Sequence, residues 1–278
     1  EHTAVLGSSL ELIAQEKADL CPDGGQVICG RVDDEICRRL AGSLATRRAS
    51  LVRARDLCRP RNVEPGRRGT RLDLELDGRT LHSLELALVG RHQVDNAALA
   101  VALVSSWLQD HAPGLLTERL EQGLRSGMAA ARSPGRFECI RSSPEVWIDV
   151  GHTPAAIEAL LDTAREVLSG RRVLLVTGVS VDKEVEMIVS RLVAVADEVI
   201  CTRAHHKGSP AERILEICTA RRPEVTAWLE PDISAAMSRA IEHAQAHDMA
   251  VLVAGGLFLA VEARHALAGL DPRTLDFL

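Results

Sequence analysis

From residue 146 to residue 267 the chain alternates short, unbroken apolar runs with longer amphipathic stretches, and few folds accommodate that alternation. Residues 146–150, 172–178, 199–202, 225–228 and 250–254 read as strands. An apolar run without a polar alternate suits a strand covered on both faces. Residues 155–168, 184–196, 210–221, 232–246 and 257–267 read as the intervening helices. Strands joined through helices run parallel and cross over with one hand. The expectation is an α/β, Rossmann-like doubly wound sheet. No G-x-G-x-x-G follows any of these strands, so dinucleotide binding gains no support.

The first of these strands ends in Asp149, and Thr153-Pro154 follows as a helix cap with proline at the first helical position. Asp149 then sits at the carboxyl end of a strand beside a helix N-terminus, the place where open α/β sheets bind ligands. A carboxylate there can accept from ribose hydroxyls, or it can simply cap the turn that precedes the helix. Arg136, in Pro134-Gly135-Arg136, offers a planar fork suited to phosphate oxygens. A surface ion pair is the other use of that residue. Asp182-Lys183, His205-His206-Lys207 and Gly255-Gly256 each follow a strand of this region. A cap, a solvated lysine, a loop and a tight turn account for them, and adjacent histidines are weak grounds for a metal.

The earlier part of the chain is read by the same signals. Ser8 is expected to cap a helix with Leu10, Ile13, Ala14 and Lys17 on one stripe. A lysine on an apolar stripe is costly to bury, so it either serves chemistry or snorkels near the helix end. Residues 26–30 and 51–54 read as strands around a helix at 33–45. The Arg-, Pro- and Gly-rich stretch 59–70 reads as a loop. Residues 72–76 and 84–88 flank Asp77-Gly78 as a hairpin, expected at one side of the parallel sheet. Gly90 to Ala98 opens a helix with Ala97, Ala100, Val101, Val104 and Trp107 as its buried face and Asn96 in its first turn. A helix at 115–124 and a hinge at 125–133 close this region, giving domains at 1–130 and 131–278.

Composition narrows the classes. The chain has 278 residues, enough for two ordinary domains. Aromatic residues make up 2% and tyrosine is absent, so the cores must be aliphatic. A formal charge of −6 argues against general nucleic-acid binding. Seven cysteines without a CxxC pair suit reduced thiols in a cytoplasm. No apolar run reaches the ~18 residues of a membrane span and no signal peptide is visible. The first residue is not methionine, and the expectation is a chain that begins inside a longer protein.

Pro134-Gly135-Arg136 with Asp149-x-x-His152-x-Pro154, together with Gly90-x-His92-Gln93-x-x-Asn96-Ala97-Ala98, resembles the folylpolyglutamate synthase/dihydrofolate synthase branch of the Mur ligase superfamily. So do Glu1-His2…Leu6-Gly7 and Ile13-Ala14-Gln15-Glu16-Lys17-Ala18. The pattern departs at Gly151 and Thr153, where Ala-His-Asn-Pro is commoner, and at Glu1 and Asp19. The resemblance implies part of a central ATPase domain followed by a Rossmann-like C-terminal ligase domain. It implies that Asn96, Arg136, Asp149 and His152 bind ATP. It implies that His2 and a carbamylated Lys17 serve Mg2+, with Mn2+ as a substitute. The reaction implied is ADP-forming addition of L-glutamate to a folate or dihydropteroate carboxylate through an acyl phosphate. The intact protein is then expected to be a cytoplasmic monomer that acts on small molecules and needs neither nucleic acid nor membrane. G-x-x-x-x-G-K-[ST] does not occur in the sequence, so the piece given is expected to be inactive alone. A Mur ligase of peptidoglycan synthesis and a non-catalytic nucleotide-binding module are the alternatives.

Overall fold

The computed structural model describes residues 9–115 and 118–277. The chain divides into two compact units. Among the described residues, one takes in the segment up to Glu64, Thr70–Ala87 and Arg91–Ala131. The other takes in Pro65–Gly69, Leu88–Gly90 and the chain from Arg132 onward.

The first unit begins with α1 (Leu10–Ala18), β1 (Gln26–Cys29), α2 (Asp34–Ala45) and β2 (Ser50–Arg53). It continues through the short α3 (Ala54–Leu57) to β3 (Cys58–Gly66), β4 (Gly69–Leu76) and β5 (Arg79–Leu86), then α4 (Arg91–His111) and α5 (Glu118–Ala130). β1 and β2 pair in parallel. Ile36, Leu40 and Leu44 of α2 pack with Ala18 and Ala49 in a small aliphatic core. Asp33 caps α2 by accepting from the Glu35 amide.

Several expectations are corrected in this unit. Ser9, not Ser8, caps α1, accepting from the Leu12 amide at 3.3 Å. The stripe that carries Lys17 is buried only in its middle: Ile13 and Ala14 are half-buried, whereas Leu10 is 71% exposed and Lys17 is exposed. The stretch 59–70 is no loop. Its first part forms β3, at the edge of a sheet ordered β3-β4-β5, and an edge strand tolerates Pro60 and Pro65. The hairpin lies in this antiparallel sheet, separate from β1–β2. Asp77 and Gly78 both take positive φ, as a two-residue hairpin turn with the favoured twist requires. Ser83 also takes positive φ, and two exposed residues part Leu81 from Leu84. That irregularity hides the first half of β5 from an alternation test.

The buried face of α4 is turned from the expected one. Val94, Ala98, Val101, Ala102 and Ser105 are buried, whereas Val104 and Trp107 are about half exposed. Residues 97–104 are apolar all round, so periodicity cannot select a face there. α5 runs through most of the expected hinge; its last residues include Ala129 and Ala130, and alanine favours helix.

The second unit holds β6 (Glu138–Ser142), β7 (Glu145–Asp149), α6 (Pro154–Val167), β8 (Arg172–Thr177), α7 (Val185–Leu192), β9 (Glu198–Cys201), α8 (Ala211–Arg221), β10 (Thr226–Leu229), α9 (Ile233–His247), β11 (Met249–Ala254) and α10 (Leu257–Leu267). Its sheet has the order β10-β9-β8-β11-β7-β6. All pairs are parallel except the edge pair β6–β7, and β6 is the strand the apolar-run reading missed. Side chains alternate across this sheet into two separate cores. Leu175, Val199 and Leu252 pack with α6, α7 and α8 on one face. Leu174, Val176, Val251 and Val253 pack with α9 and α10 on the other. Every residue of β11 is buried, as expected for a central strand covered on both faces.

Candidate functional site

The parallel strands of the second unit end level. Cys201 pairs with Thr177, Thr177 with Ala254, and Ala254 with Asp149, forming one row at the carboxyl edge of the sheet. The chain winds outward from β8 to β9 and β10, then returns to place β11 between β8 and β7. The helices that follow β8 and β11 lie on opposite faces of the sheet, the kind of switch at which such sheets bind ligands.

Asp149 is the buried centre of this edge, 4% exposed. Its Oδ2 accepts from the Phe137 amide at 2.9 Å, and its Oδ1 from the Gly151 amide at 2.7 Å. One carboxylate thus fastens the loop before β6 to the loop that opens α6. Burial pushes the Asp149 carboxyl above the usual range, and the two amides and the Arg136 charge oppose that push. Thr153 caps α6 by accepting from the Ala156 amide at 3.3 Å, with Pro154 in the first turn, as the sequence requires.

Arg136 stands on a tight turn. Its amide donates to the Ser133 carbonyl, with Pro134 and Gly135 as the central residues. Gly135 has φ +74°, and a Cβ there would lie 2.6 Å from Cγ1 of Val150. That is the position at which a Pro-Gly turn needs glycine. The Gly135 amide donates to Glu138 Oε2 at 2.7 Å, and Arg264 of α10 pairs with the same oxygen. Phe137 takes φ +41°, uncommon for a bulky residue, and its ring is fully buried 5.0 Å from that of Trp147. The strained backbone is held by the Asp149 bond on one side and the ring contact on the other. The turn leaves the Arg136 side chain exposed, with no ion pair among the described residues.

His152 is half-buried, its Nδ1 3.0 Å from the Val150 carbonyl. A carbonyl can only accept, so Nδ1 is the donor of that contact. Gly255 and Gly256, at φ +144° and +146°, lead into α10, and a Cβ at Gly255 would fall 2.2 Å from the Gly178 carbonyl oxygen. The loops after β8 and β11 meet backbone to backbone there.

Sequence reasoning missed two carboxylates that build this edge. One is Glu138. The other is Glu262 on α10, fully buried, whose oxygens accept from the His205 and His206 amides at 2.7 and 2.9 Å. An acid inside the apolar run of the last helix was the available signal. The histidines have packing roles: the His206 ring lies between Phe258 and Phe277, at 4.4 and 4.9 Å. Lys183 pairs with Asp182 at 3.1 Å.

The remaining candidates belong to the first unit. Asn96 is exposed in the second turn of α4, not the first, and its Nδ2 donates to Gln93 Oε1 at 3.2 Å. His2 lies outside the described residues. Lys17 is in the last turn of α1, where a cation favours the helix dipole. No three His, Cys, Asp or Glu side chains among the described residues converge on a metal. The described residues do not by themselves make a magnesium site.

Residues 135–257 match the profile of the Mur ligase, glutamate ligase domain. This stretch is a Mur ligase C-terminal domain. Its curated relatives include the dihydrofolate synthase/folylpolyglutamate synthase of Mycobacterium tuberculosis, 34% identical over 76% of this chain and 43% of that protein. They also include a UDP-N-acetylmuramoyl-L-alanyl-D-glutamate–2,6-diaminopimelate ligase of Solibacter usitatus, 30% identical over 88% of this chain and 48% of that protein. Among solved structures, M. tuberculosis folylpolyglutamate synthase complexed with ADP and AMPPCP superposes with TM-score 0.80 at 27% identity, covering 96% of this chain and 61% of that one. The chain spans less than half the length of these two curated relatives. The parallel-rich α/β architecture of the second unit is that of the Mur ligase C-terminal domain. No helix of the described residues is long and apolar enough to cross a membrane.

Proposed function

We propose that the chain forms part of an ATP-dependent, ADP-forming ligase that adds glutamate to a folate or dihydropteroate carboxylate through an acyl phosphate. The observation that carries the reading is the clasp of Asp149 on the Pro134–Arg136 turn. It spends a buried carboxylate to present one exposed guanidinium at the ligand-binding edge of a Mur ligase domain. In this reading Arg136 takes nucleotide phosphate oxygens in parallel hydrogen bonds. Asp149 positions that turn, and its remaining lone pairs meet a ribose hydroxyl. His152, at the opening of α6, is proposed as a further nucleotide contact. Asn96 of the first unit is proposed as a nucleotide-binding residue in its own right. ATP supplies the phosphoryl group that activates the carboxylate, and the amine of glutamate attacks the activated carbonyl. M. tuberculosis folylpolyglutamate synthase, which shares this fold, is known in complex with ADP and AMPPCP, and that supports the choice of nucleotide. Lys17 and His2 are proposed to serve the metal.

The test is calorimetric titration of ADP and AMPPCP into the chain and its Arg136→Ala variant. Binding that weakens at least about tenfold in the variant, with an unchanged thermal midpoint, supports the reading, since a charge-assisted pair is worth roughly that factor. Equal affinity in both proteins removes the nucleotide role of Arg136. The similarity to a diaminopimelate-adding ligase favours a second reading, ligation onto a peptidoglycan precursor. Amino-acid-dependent ADP release, assayed in the longest natural form with dihydropteroate, a folate or a UDP-muramoyl peptide, separates the two.

A further inference from the structure

The carboxyl edge of the second unit holds another buried carboxylate, used much as Asp149 is. Glu262 of α10 is fully buried, and among the described residues it pairs with no cation. Both of its oxygens are taken by backbone amides, those of His205 and His206 in the loop after β9. A buried carboxylate without a counter-ion is costly, and the charge-assisted bonds to those amides offset that cost. The rest of the loop is fixed as closely. The His206 ring is held between Phe258 and Phe277, and the Ser209 amide donates to the Val179 carbonyl at 2.8 Å. A Cβ at Gly208 would fall 2.2 Å from the Ala204 carbonyl oxygen, so the loop is folded tightly on itself.

What this loop presents is Lys207. Its backbone takes φ +53°, uncommon for a long side chain. Its carbonyl accepts from the amide of Val181, in the loop after β8, at 2.8 Å. Its side chain is exposed, and its ammonium lies 5.9 Å from the centre of the Phe258 ring in the first turn of α10. Lys207 therefore reaches from the loop after β8 to the helix after β11, across the switch in strand order. It makes no ion pair among the described residues. Lys183, on the facing loop, is already paired with Asp182. That bond holds the Asp182 carboxyl below the usual range, with a smaller contribution from the Lys207 charge. Val181 and Leu257, on the same two segments, are exposed apolar residues. An unpaired ammonium near exposed apolar side chains suits a ligand with a carboxylate on a short methylene stem, as in glutamate.

We propose that Lys207 binds a carboxylate of the amino acid that the ligase adds, and that Glu262 is the positioning residue that holds Lys207 over the switch point. The inference rests on the ligase reading above and deepens it by naming residues for the amino-acid subsite.

The test is steady-state ADP release by the longest natural form, with L-glutamate varied at saturating ATP and folate, and with the thermal midpoint of each variant recorded. Lys207→Met keeps the stem and removes the charge. KM for glutamate should rise about tenfold, with KM for ATP unchanged and kcat within about twofold. Lys207→Arg should restore most of the loss. Glu262→Gln keeps the shape but sets an amide donor against one of the two backbone amides. The same KM should rise several-fold, again with KM for ATP unchanged. In the double variant the two effects should not add, because Glu262 acts through Lys207. Lys207→Met, at an exposed side chain, decides even if Glu262→Gln does not fold. A glutamate KM that Lys207→Met leaves unchanged, a parallel rise in KM for ATP, or additive effects in the double variant overturn the inference alone. No glutamate-dependent ADP release from the unaltered protein ends the ligase reading and this inference with it.

Discussion

The two units differ in how many faces of each sheet are covered. In the second, helices lie on both sides of six strands, and the central β11 is buried at every residue. In the first, two parallel strands and a separate three-stranded antiparallel sheet share the work, and Leu10, Leu12, Leu20 and Trp107 are each more than half exposed. The difference decides where stability resides. A doubly covered strand contributes side chains to two cores at once, so one truncation disturbs both the sheet and a helix layer. A half-covered strand spreads its contribution over polar contacts at its edges, and those answer to pH.

The largest effect expected is therefore in β11. Leu252→Ala should cost about 2–5 kcal/mol, the range for a buried leucine truncated in a rigid core. Denaturant unfolding followed by far-UV dichroism checks it, and a loss under 1 kcal/mol would break the contrast drawn here. Next comes Gly135→Ala, which adds a Cβ 2.6 Å from Val150 at a positive φ. About 1–3 kcal/mol should be lost, together with nucleotide affinity, because the turn that presents Arg136 must move. The smallest effect sharpens the comparison from the first unit. Asp73 accepts from the Ser83 amide at 2.8 Å, from Asn62 at 2.8 Å and faces His82 at 3.2 Å, which holds its carboxyl down at about 2. A lowered folded-state value contributes stability above the ordinary carboxylate range that is lost as pH falls toward 2. Asp73→Asn should flatten the stability-against-pH curve between about pH 4 and 2, measured by acid titration of the far-UV signal.

The same contrast governs what was legible in the sequence. The helices and parallel strands of the second unit were placed to within a few residues, because unbroken runs such as 172–177 and 249–254 have no second interpretation beside capped helices. The first unit was harder. β3 carries two prolines and no apolar run, and only its edge position lets it pair. β5 loses its alternation at Ser83. The face of α4 could not be chosen where residues 97–104 are apolar all round. At the site, Thr153, Pro154 and Asp149 announced themselves through capping and strand-end chemistry, whereas the turn at Gly135 emerges only in the structure. Glu138 and Glu262 did not, because a carboxylate that binds backbone amides leaves no spacing rule in the sequence. The exposure of Lys17 follows from the shallow core against which α1 packs.

The backbone contact between residues 178 and 255 has a consequence for variation in this chain. Position 255 cannot gain a side chain while the loop after β8 stays in place, and position 178 cannot while Thr202, after β9, stays in place. Changes there should be tolerated as pairs or with compensating shifts, and combined substitutions should deviate from the sum of their separate costs. The three strand-end loops would then diversify in concert, as one surface and not as several.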